Sequence, residues 1–218
     1  EIVKNHQIEI IHAGQILPIG TAVMMYAQKN NIPYIFYAHG LDITSAQKNK
    51  RKKMIMQKII KGAHGIVTNS HFTRDELLKL GADDEKIVVA NPCPNITSEE
   101  ASELKMEDLK KEHDLKDKKI ILTIGRLVER KGHDMLIKAL PKIIKSVPNA
   151  KYIIVGDGPN RKKLEQLVNQ NSLREHVVFL GRVEHYDMPA IFQISDVFAM
   201  PNRQLANGDV EGFGIVFL

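Results

Sequence analysis

The hydrophobic residues of this chain fall into short β-branched runs that alternate with stretches of helical period. Runs of the first kind predict strands, and apolar residues spaced three and four apart predict amphipathic helices. Strands are predicted at 8–12, 34–38, 65–69, 87–90, 119–124, 152–155, 177–180 and 197–200. Helices are predicted at 19–27, 54–63, 73–80, 136–147, 163–168 and 188–192. Pro141 is expected to kink the fourth of these helices.

This alternation predicts an α/β protein whose parallel sheets carry helices on both faces. The pattern breaks between residues 91 and 118, where prolines, acidic residues and lysines replace it. We therefore predict two Rossmann-like domains that face each other across a cleft, at residues 1–91 and 117–218. Residues 92–116 are predicted to be a linker, with room for a short helix.

Composition limits the classes of function. The chain has 218 residues, a net charge of +5 and a pI near 9.1, which favours an anionic ligand without requiring nucleic acid. Aromatic residues make up only 6% and tryptophan is absent, so no nucleic-acid partner is expected. Cys93 is the only cysteine, which excludes an intramolecular disulfide and favours a reducing compartment. With no signal peptide and no membrane-length apolar run, the sequence predicts a cytoplasmic protein.

A glycine-bounded basic loop, Gly125 to Gly132, directly follows the predicted strand at 119–124. Ligands bind at the carboxyl ends of the strands in such sheets. Arg126 offers a planar fork to phosphate oxygens and Lys131 adds a compact charge, and both side chains are expected to be exposed. Taken alone, such a pattern is more often a solvated basic loop.

Two further segments carry candidate chemistry. Glu211-Gly212-Phe213-Gly214-Ile215 joins a carboxylate to a glycine turn and to an apolar stretch that could open a helix. The backbone N–H groups of such a turn can bind an anion. His39-Gly40 ends the predicted strand at 34–38, with Asp42 close behind. By themselves, such a glutamate is usually a solvated loop residue and such a histidine usually a packed or surface residue.

Together and in this order, several segments resemble the retaining GT-B glycosyltransferases of family 4. The stretch from Ile121 to Gly132 is similar to the phosphate loop of that family. Ile153 to Pro159 is similar to its strand and glycine turn, and Val178 to Val183 to its base-pairing segment. Ser195 to Pro201 is similar to the strand that precedes the family's E-x7-E signature, which Glu211 would begin.

The resemblance implies transfer of a sugar, with retention, from a nucleotide-diphosphate-sugar donor, with no metal and no cofactor. The acceptor would be a sugar, a lipid-linked sugar or a small molecule, bound on the side of domain 1–91. It implies that His39 and Glu211 are catalytic and that the backbone of Arg182 and Val183 binds the base. The residues implied to bind the diphosphate are Arg126, Lys131, Gly214 and Ile215. Those implied to bind the donor sugar are Glu211, Gly212 and Phe213.

Segments of the family pattern would fall outside the chain at both ends. The second glutamate of the signature would fall one position beyond Leu218, and the family's opening strand and glycine loop do not occur before Glu1. We therefore expect a chain truncated at both ends, with both domains incomplete and no transfer activity of its own. The alternative is a non-catalytic GT-B scaffold that binds nucleotide weakly or serves as a folding or assembly unit.

Seven basic residues between Lys48 and Lys61 surround an apolar stripe from Met54 to Ile60. A basic amphipathic helix of this kind can lie on anionic lipid, which predicts a peripheral membrane contact. The alternative is a helix whose apolar stripe faces the core and whose lysines face water.

Overall fold

The computed structural model of the chain describes residues 6–93, 102–206 and 208–218. The chain divides into two compact units, Glu1–Pro94 with Gln204–Leu218, and Asn95–Arg203. Each unit is built on a four-stranded parallel sheet. The prediction of an α/β protein with two Rossmann-like parallel sheets is confirmed.

The first unit contains a sheet with strand order β1-β2-β3-β4, in which all neighbours are parallel. Its strands are β1 (Ile11–Ala13), β2 (Tyr34–Ala38), β3 (Gly65–Thr68) and β4 (Ile87–Val89). Its helices are α1 (Ile19–Asn30), α2 (Leu41–Ala46), α3 (Lys50–Gly62) and α4 (His71–Lys79).

One face of this first sheet carries the core. Side chains alternate across a strand, and in β2 the buried ones are Tyr34, Phe36 and Ala38. They form one apolar cluster with residues of α1, α3 and α4 that include Met24, Met56, Ile59 and Leu77. The other face, with His12, Ile35, Tyr37 and Val67, is only partly covered by the described residues. Helices on both faces were expected for this sheet and are not seen in the part of the chain that the structure describes.

The second unit contains a sheet with strand order β7-β6-β5-β8, again parallel throughout. Its strands are β5 (Lys119–Ile124), β6 (Ala150–Val155), β7 (Val177–Gly181) and β8 (Val197–Phe198). Its helices are α5 (Glu103–Glu112), α6 (His133–Ser146), α7 (Arg161–Gln170) and α8 (Met188–Gln193).

Both faces of the second sheet are covered. On one face, Tyr152 and Ile154 pack with Ile137 of α6 and Leu164 of α7. The residues of β6 that point the other way, including Ile153, are buried as well. This double burial explains why β5 and β6 have nearly continuous apolar sequences, as central parallel strands do.

The structure differs from the sequence prediction at several elements. Helix α2 was not predicted. The linker predicted at 92–116 contains the ten-residue helix α5, which agrees with the expectation of room for a short helix, and residues 94–101 of that linker lie outside the described residues. Pro141 lies inside α6, which continues from His133 to Ser146. Residues 204–218 were assigned to the second domain, but their contacts group them with the first unit.

Candidate functional site

Three predicted turns meet at the carboxyl edge of the second sheet. Gly125 follows β5, Gly156 follows β6, and Gly181 ends β7. The Gly125 N–H donates to Val155 O at 2.9 Å, and the Gly156 N–H donates to Gly181 O at 2.6 Å. The turns therefore form one continuous edge.

Close backbone contact explains the glycines of this edge. Gly156 has a φ of +124°, and a Cβ there would lie 2.1 Å from Gly125 O. A Cβ on Gly158 would lie 2.7 Å from Leu127 O. Since Cβ atoms do not approach oxygen so closely, both turns can pack against the basic loop only with glycine in these places.

The two basic residues of the loop differ in environment. Arg126 is exposed, as predicted. Lys131 is not, because its exposed fraction is only 8%. A Cβ added to Gly125 would lie 3.6 Å from Lys131 Cε and equally far from Met200 Sδ, so the lysine stem packs under the loop. The expectation that Lys131 is an exposed side chain is therefore wrong, since its four-carbon stem is long enough to fill core space while the ammonium group stays near the loop.

Arg203 fixes the end of the basic loop and was not predicted. Its guanidinium contacts Asp134 Oδ2 at 3.1 Å and Glu129 Oε1 at 3.3 Å. Its backbone N–H donates to Arg130 O at 2.8 Å. Arg203 thus links the 3₁₀ turn Glu129–Lys131 to the start of α6. No periodicity or motif marks this arginine, because its partners lie about seventy residues away.

His133, the first residue of α6, is also part of the loop's support. Its exposed fraction is 1%, and neither ring nitrogen has a hydrogen-bond partner among the described groups. Burial, with the nearby Lys131 charge, lowers the pKa of His133 to about 4. The ring is therefore neutral at pH 7 and adds no second positive charge beside Lys131.

Arg182 and Val183, the predicted base-binding residues, directly follow β7. Arg182 is exposed and Val183 is half-buried. Gly181 before them has a φ of +72° and open space where a Cβ would stand. The geometry places both residues at the same edge as Gly125 and Gly156, and base binding by their backbone stays a prediction.

In the first unit, His39 is held at the carboxyl end of β2. Its Nε2 lies 3.0 Å from Gly14 O, which follows β1. Because a carbonyl oxygen can only accept, Nε2 carries the proton in this contact, and the tautomer with an unprotonated Nδ1 can accept a hydrogen bond there. The His39 N–H donates to Asp42 Oδ1 at 3.0 Å. Burial raises the pKa of the Asp42 carboxyl, whose Oδ2 has no hydrogen-bond partner among the described groups.

The segment that contains Glu211 lies in this same unit. A Cβ on Gly212 would lie 2.8 Å from His39 O, and a Cβ on Gly40 would lie 3.3 Å from Gly212 Cα. The structure therefore brings the two predicted catalytic residues, His39 and Glu211, onto adjoining segments. It also brings Phe213 there, which is half-buried.

The apolar stretch after this segment forms less helix than was expected. Gly214 has a φ of +80° and leads into a single 3₁₀ turn, Ile215–Phe217. A Cβ on Gly214 would lie 2.7 Å from the ring of Phe217, so the turn closes tightly over this glycine. Diphosphate binding by the N–H groups of Gly214 and Ile215 stays a prediction.

Cavity size does not identify this site. A cavity of about 910 Å³ lies at the opposite, amino-terminal edge of the second sheet, beside Lys118, Ile120 and Asp196.

Among the described residues, no group of three or more His, Cys, Asp or Glu side chains could hold a metal ion. None of the described helices has the length and apolar character that crossing a membrane requires.

Two parallel-sheet units with glycine turns at the carboxyl strand ends define the GT-B class of glycosyltransferase folds. The profile of the family "Glycosyl transferases group 1" matches residues 105–218, just over half of the chain. The profile "Glycosyltransferase Family 4" matches residues 1–95. The chain belongs to the glycosyl transferases group 1.

Named relatives agree with this family. A GDP-mannose-dependent alpha-(1-6)-phosphatidylinositol monomannoside mannosyltransferase of Mycobacterium tuberculosis is 28% identical over the whole chain and 56% of its own length. The Mycolicibacterium smegmatis protein of the same name is 41% identical over 50% of the chain and 29% of its own length. HepE of Anabaena, solved with UDP and glucose, has a TM-score of 0.77 at 21% identity, over 99% of this chain and 57% of that one. The chain spans about half the length of the relatives it matches, or less.

Proposed function

We propose that the protein transfers a sugar from a nucleotide-diphosphate-sugar donor with retention of anomeric configuration. The observation that carries this is the joining of the Gly125, Gly156 and Gly181 turns into one edge, with the exposed Arg126 on it. Parallel sheets bind nucleotides at such edges. The mannosyltransferase relatives are named for GDP-mannose, and HepE was solved with UDP and glucose, which supports a donor of this chemical class.

The proposed chemistry is mainly electrostatic. Arg126 and Lys131 stabilise the negative charge of the departing diphosphate, since a charge that develops in the transition state is stabilised best by fixed opposite charges. The buried stem of Lys131 and the ion pairs of Arg203 keep the loop rigid, so little reorganisation is needed. His39, with Nδ1 free to accept, and Glu211 are proposed to contact the donor sugar. The acceptor attacks on the face that the diphosphate leaves, and no protein nucleophile is required.

Calorimetric titration tests the donor class. The chain is titrated with GDP and UDP and, as matched ligands, with GMP and UMP. If the Arg126 edge binds a diphosphate, each diphosphate binds at least about tenfold more tightly than its monophosphate, since one charge-assisted hydrogen bond contributes about 1.5–3 kcal/mol. Equal affinity for both, or no binding of either, contradicts the proposal.

Retention is tested on the product. Because no transfer by the chain alone is expected, the reaction is run with the chain extended by the segments that the family pattern has at both ends. Transfer from an α-linked donor sugar is followed by NMR, and the one-bond coupling of the anomeric carbon gives the configuration of the new bond. The proposal predicts an α-linked product at the earliest time points. A β-linked product contradicts it.

We also propose a peripheral membrane contact through α3, which suits a lipid-linked acceptor. The helix has no acidic residue, and its lysines and Arg51 are exposed. Most of the apolar stripe is core, because Met56, Ile59 and Ile60 are buried. Only Met54 and Ile55 of the stripe are exposed, by 54% and 36%. The attraction is therefore mostly electrostatic and depends on anionic lipid.

Vesicle sedimentation tests this contact. The chain is mixed with vesicles of phosphatidylglycerol and phosphatidylcholine, and with vesicles of phosphatidylcholine alone. We expect binding to the anionic vesicles only, with loss in the Lys52→Glu/Lys53→Glu variant. The control Lys110→Glu/Lys111→Glu changes the same charge on α5 and is expected to bind as the wild type does. Equal losses in both variants would show that net charge, and not α3, is responsible.

A further inference from the structure

Asn69 lies at the centre of the hydrogen bonds around His39. It directly follows β3, and its backbone N–H donates to Ala38 O at 3.2 Å, which extends the ladder between β2 and β3. Its side-chain Nδ2 donates to His39 O at 3.1 Å, and its Oδ1 accepts from Thr73 Oγ1 at 2.8 Å. Its carbonyl oxygen accepts from Asn91 Nδ2 at 3.1 Å. One residue thus connects the ends of β2, β3 and β4 with the first turn of α4.

The carbonyl that Asn69 holds is the one against which Gly212 packs. A Cβ on Gly212 would lie 2.8 Å from His39 O and 3.4 Å from Asn69 Nδ2. From the other side, Gly40 has a φ of +98°, and a Cβ on it would lie 3.2 Å from Thr73 Oγ1 and 3.3 Å from Gly212 Cα. Two glycines therefore face each other without side chains between them. The contact is close enough that a small rotation of the His39 peptide would remove it.

We propose that Asn69 is a positioning residue that holds the His39 peptide in the orientation against which the segment Glu211–Gly212 packs. The consequence of this role for sugar transfer rests on the proposed function. Asn69 would then fix the place of Glu211 relative to His39. Its physical basis is geometric. The Nδ2 group is the only side-chain donor that the described residues provide to His39 O, and Thr73 fixes the amide so that Nδ2 faces this carbonyl.

Asn69→Asp separates positioning from folding. The aspartate keeps an oxygen for Thr73 but replaces the donor with a second acceptor, which faces His39 O and repels it. Asn91→Ala is the matched control. It removes a side-chain amide that donates only to the backbone oxygen of Asn69, and it leaves the Asn69 side chain in place. Both proteins are labelled with ¹⁵N-glycine, and backbone order parameters are measured for the glycine resonances. Thermal unfolding is recorded for both.

In the wild type, Gly40 and Gly212 are expected to have order parameters of about 0.85, the value that is typical of rigid backbone. In Asn69→Asp, both are expected to fall below about 0.6, whereas Gly81 and Gly156 keep their values. Asn91→Ala is expected to leave all four unchanged. Rigid Gly212 in Asn69→Asp, or the same loss in both variants, would overturn the proposal.

A titration with GDP and UDP separates this proposal from the proposed function. Gly214 and Ile215, which are predicted to bind the diphosphate, directly follow the segment that Asn69 positions, so Asn69→Asp is expected to weaken diphosphate binding, whereas Asn91→Ala is expected to leave it unchanged. If the wild type binds no diphosphate, the proposed function fails while the glycine measurement still decides the role of Asn69. If the order parameters of Gly81 and Gly156 fall together with that of Gly212, Asn69 acts on the whole fold and the positioning role is wrong.

Discussion

Arg126 and Lys131 show how differently two basic residues of one loop can be used. Arg126 is exposed and free of core packing, so its charge is its main contribution. Lys131 has an exposed fraction of 8% and lies next to Gly125 and Met200, so it supports the loop as well as charging it. The residue types alone predicted a cationic loop, but the burial of one stem depends on residues far away in the sequence, such as Met200.

These environments predict different results for the two alanine variants. Arg126→Ala is expected to weaken diphosphate binding by about tenfold to a hundredfold, through the loss of one charge-assisted hydrogen bond, with unchanged stability. Lys131→Ala is expected to weaken binding and also to lower the free energy of unfolding, because it leaves a gap under Gly125. Titration calorimetry and urea unfolding measure the two quantities. Arg174→Ala removes an exposed arginine elsewhere in this unit and is expected to change neither. Equal stability of the Arg126 and Lys131 variants would contradict the assigned burial.

His133 predicts a pH dependence of stability. Its pKa is about 4 in the folded protein and about 6.5 when unfolded, so the unfolded chain binds the proton more tightly. Stability is therefore lost as the pH falls from about 6.5 towards 4. Between pH 7 and 5 this group alone removes about 2 kcal/mol from the free energy of unfolding. We expect His133→Leu to lose that much less than the wild type over the same range, whereas replacement of the exposed His64 leaves the loss unchanged. Parallel curves for the wild type and His133→Leu would contradict this.

At the scale of elements, the sequence predicted the alternation of strands and helices and missed helix α2. Strands β5 and β6 were predicted within two residues of their bounds, because strands buried on both faces have continuous apolar runs. Helix α2 was missed although α8, which also has six residues, was predicted; Ile43 and Thr44 of α2 are β-branched residues, which favour strands. The expected helix after Gly214 is a single 3₁₀ turn, and nothing in its apolar sequence distinguishes the two.

Strand β8 depends on Asp196, which connects it to β5. The Asp196 carboxylate accepts from the Ile120 N–H at 2.7 Å and from Lys119 Nζ at 2.7 Å, and these contacts lower its pKa. Asp196→Ala is expected to lower the free energy of unfolding by about 1–2 kcal/mol, whereas Asp196→Asn, which keeps an acceptor oxygen, loses less. Urea unfolding of both variants checks this. Equal losses in the two variants would show that the charge pair with Lys119, and not the backbone bond, stabilises the edge.

At the scale of the whole molecule, the order of motifs was the strongest signal. The chain belongs to the glycosyl transferases group 1, and both sheets are parallel as expected. The loop at 125 was predicted at the carboxyl end of its strand, and the structure places the turns at 156 and 181 beside it. The roles of Asn69 and Arg203 could not be predicted, because each joins segments that only the fold brings together. The packing of residues 204–218 with the first unit could not be predicted for the same reason.

The central claim is that the carboxyl edge of the second sheet binds the donor diphosphate. Hydrogen–deuterium exchange of the chain, with and without saturating GDP or UDP, tests it most directly. The account predicts slower exchange in peptides that cover 125–132, 156–160 and 181–183. Peptides that line the 910 Å³ cavity at the amino edge, 114–118 and 193–196, are predicted to exchange as before. Protection at the amino edge, with none in the basic loop, would contradict the account.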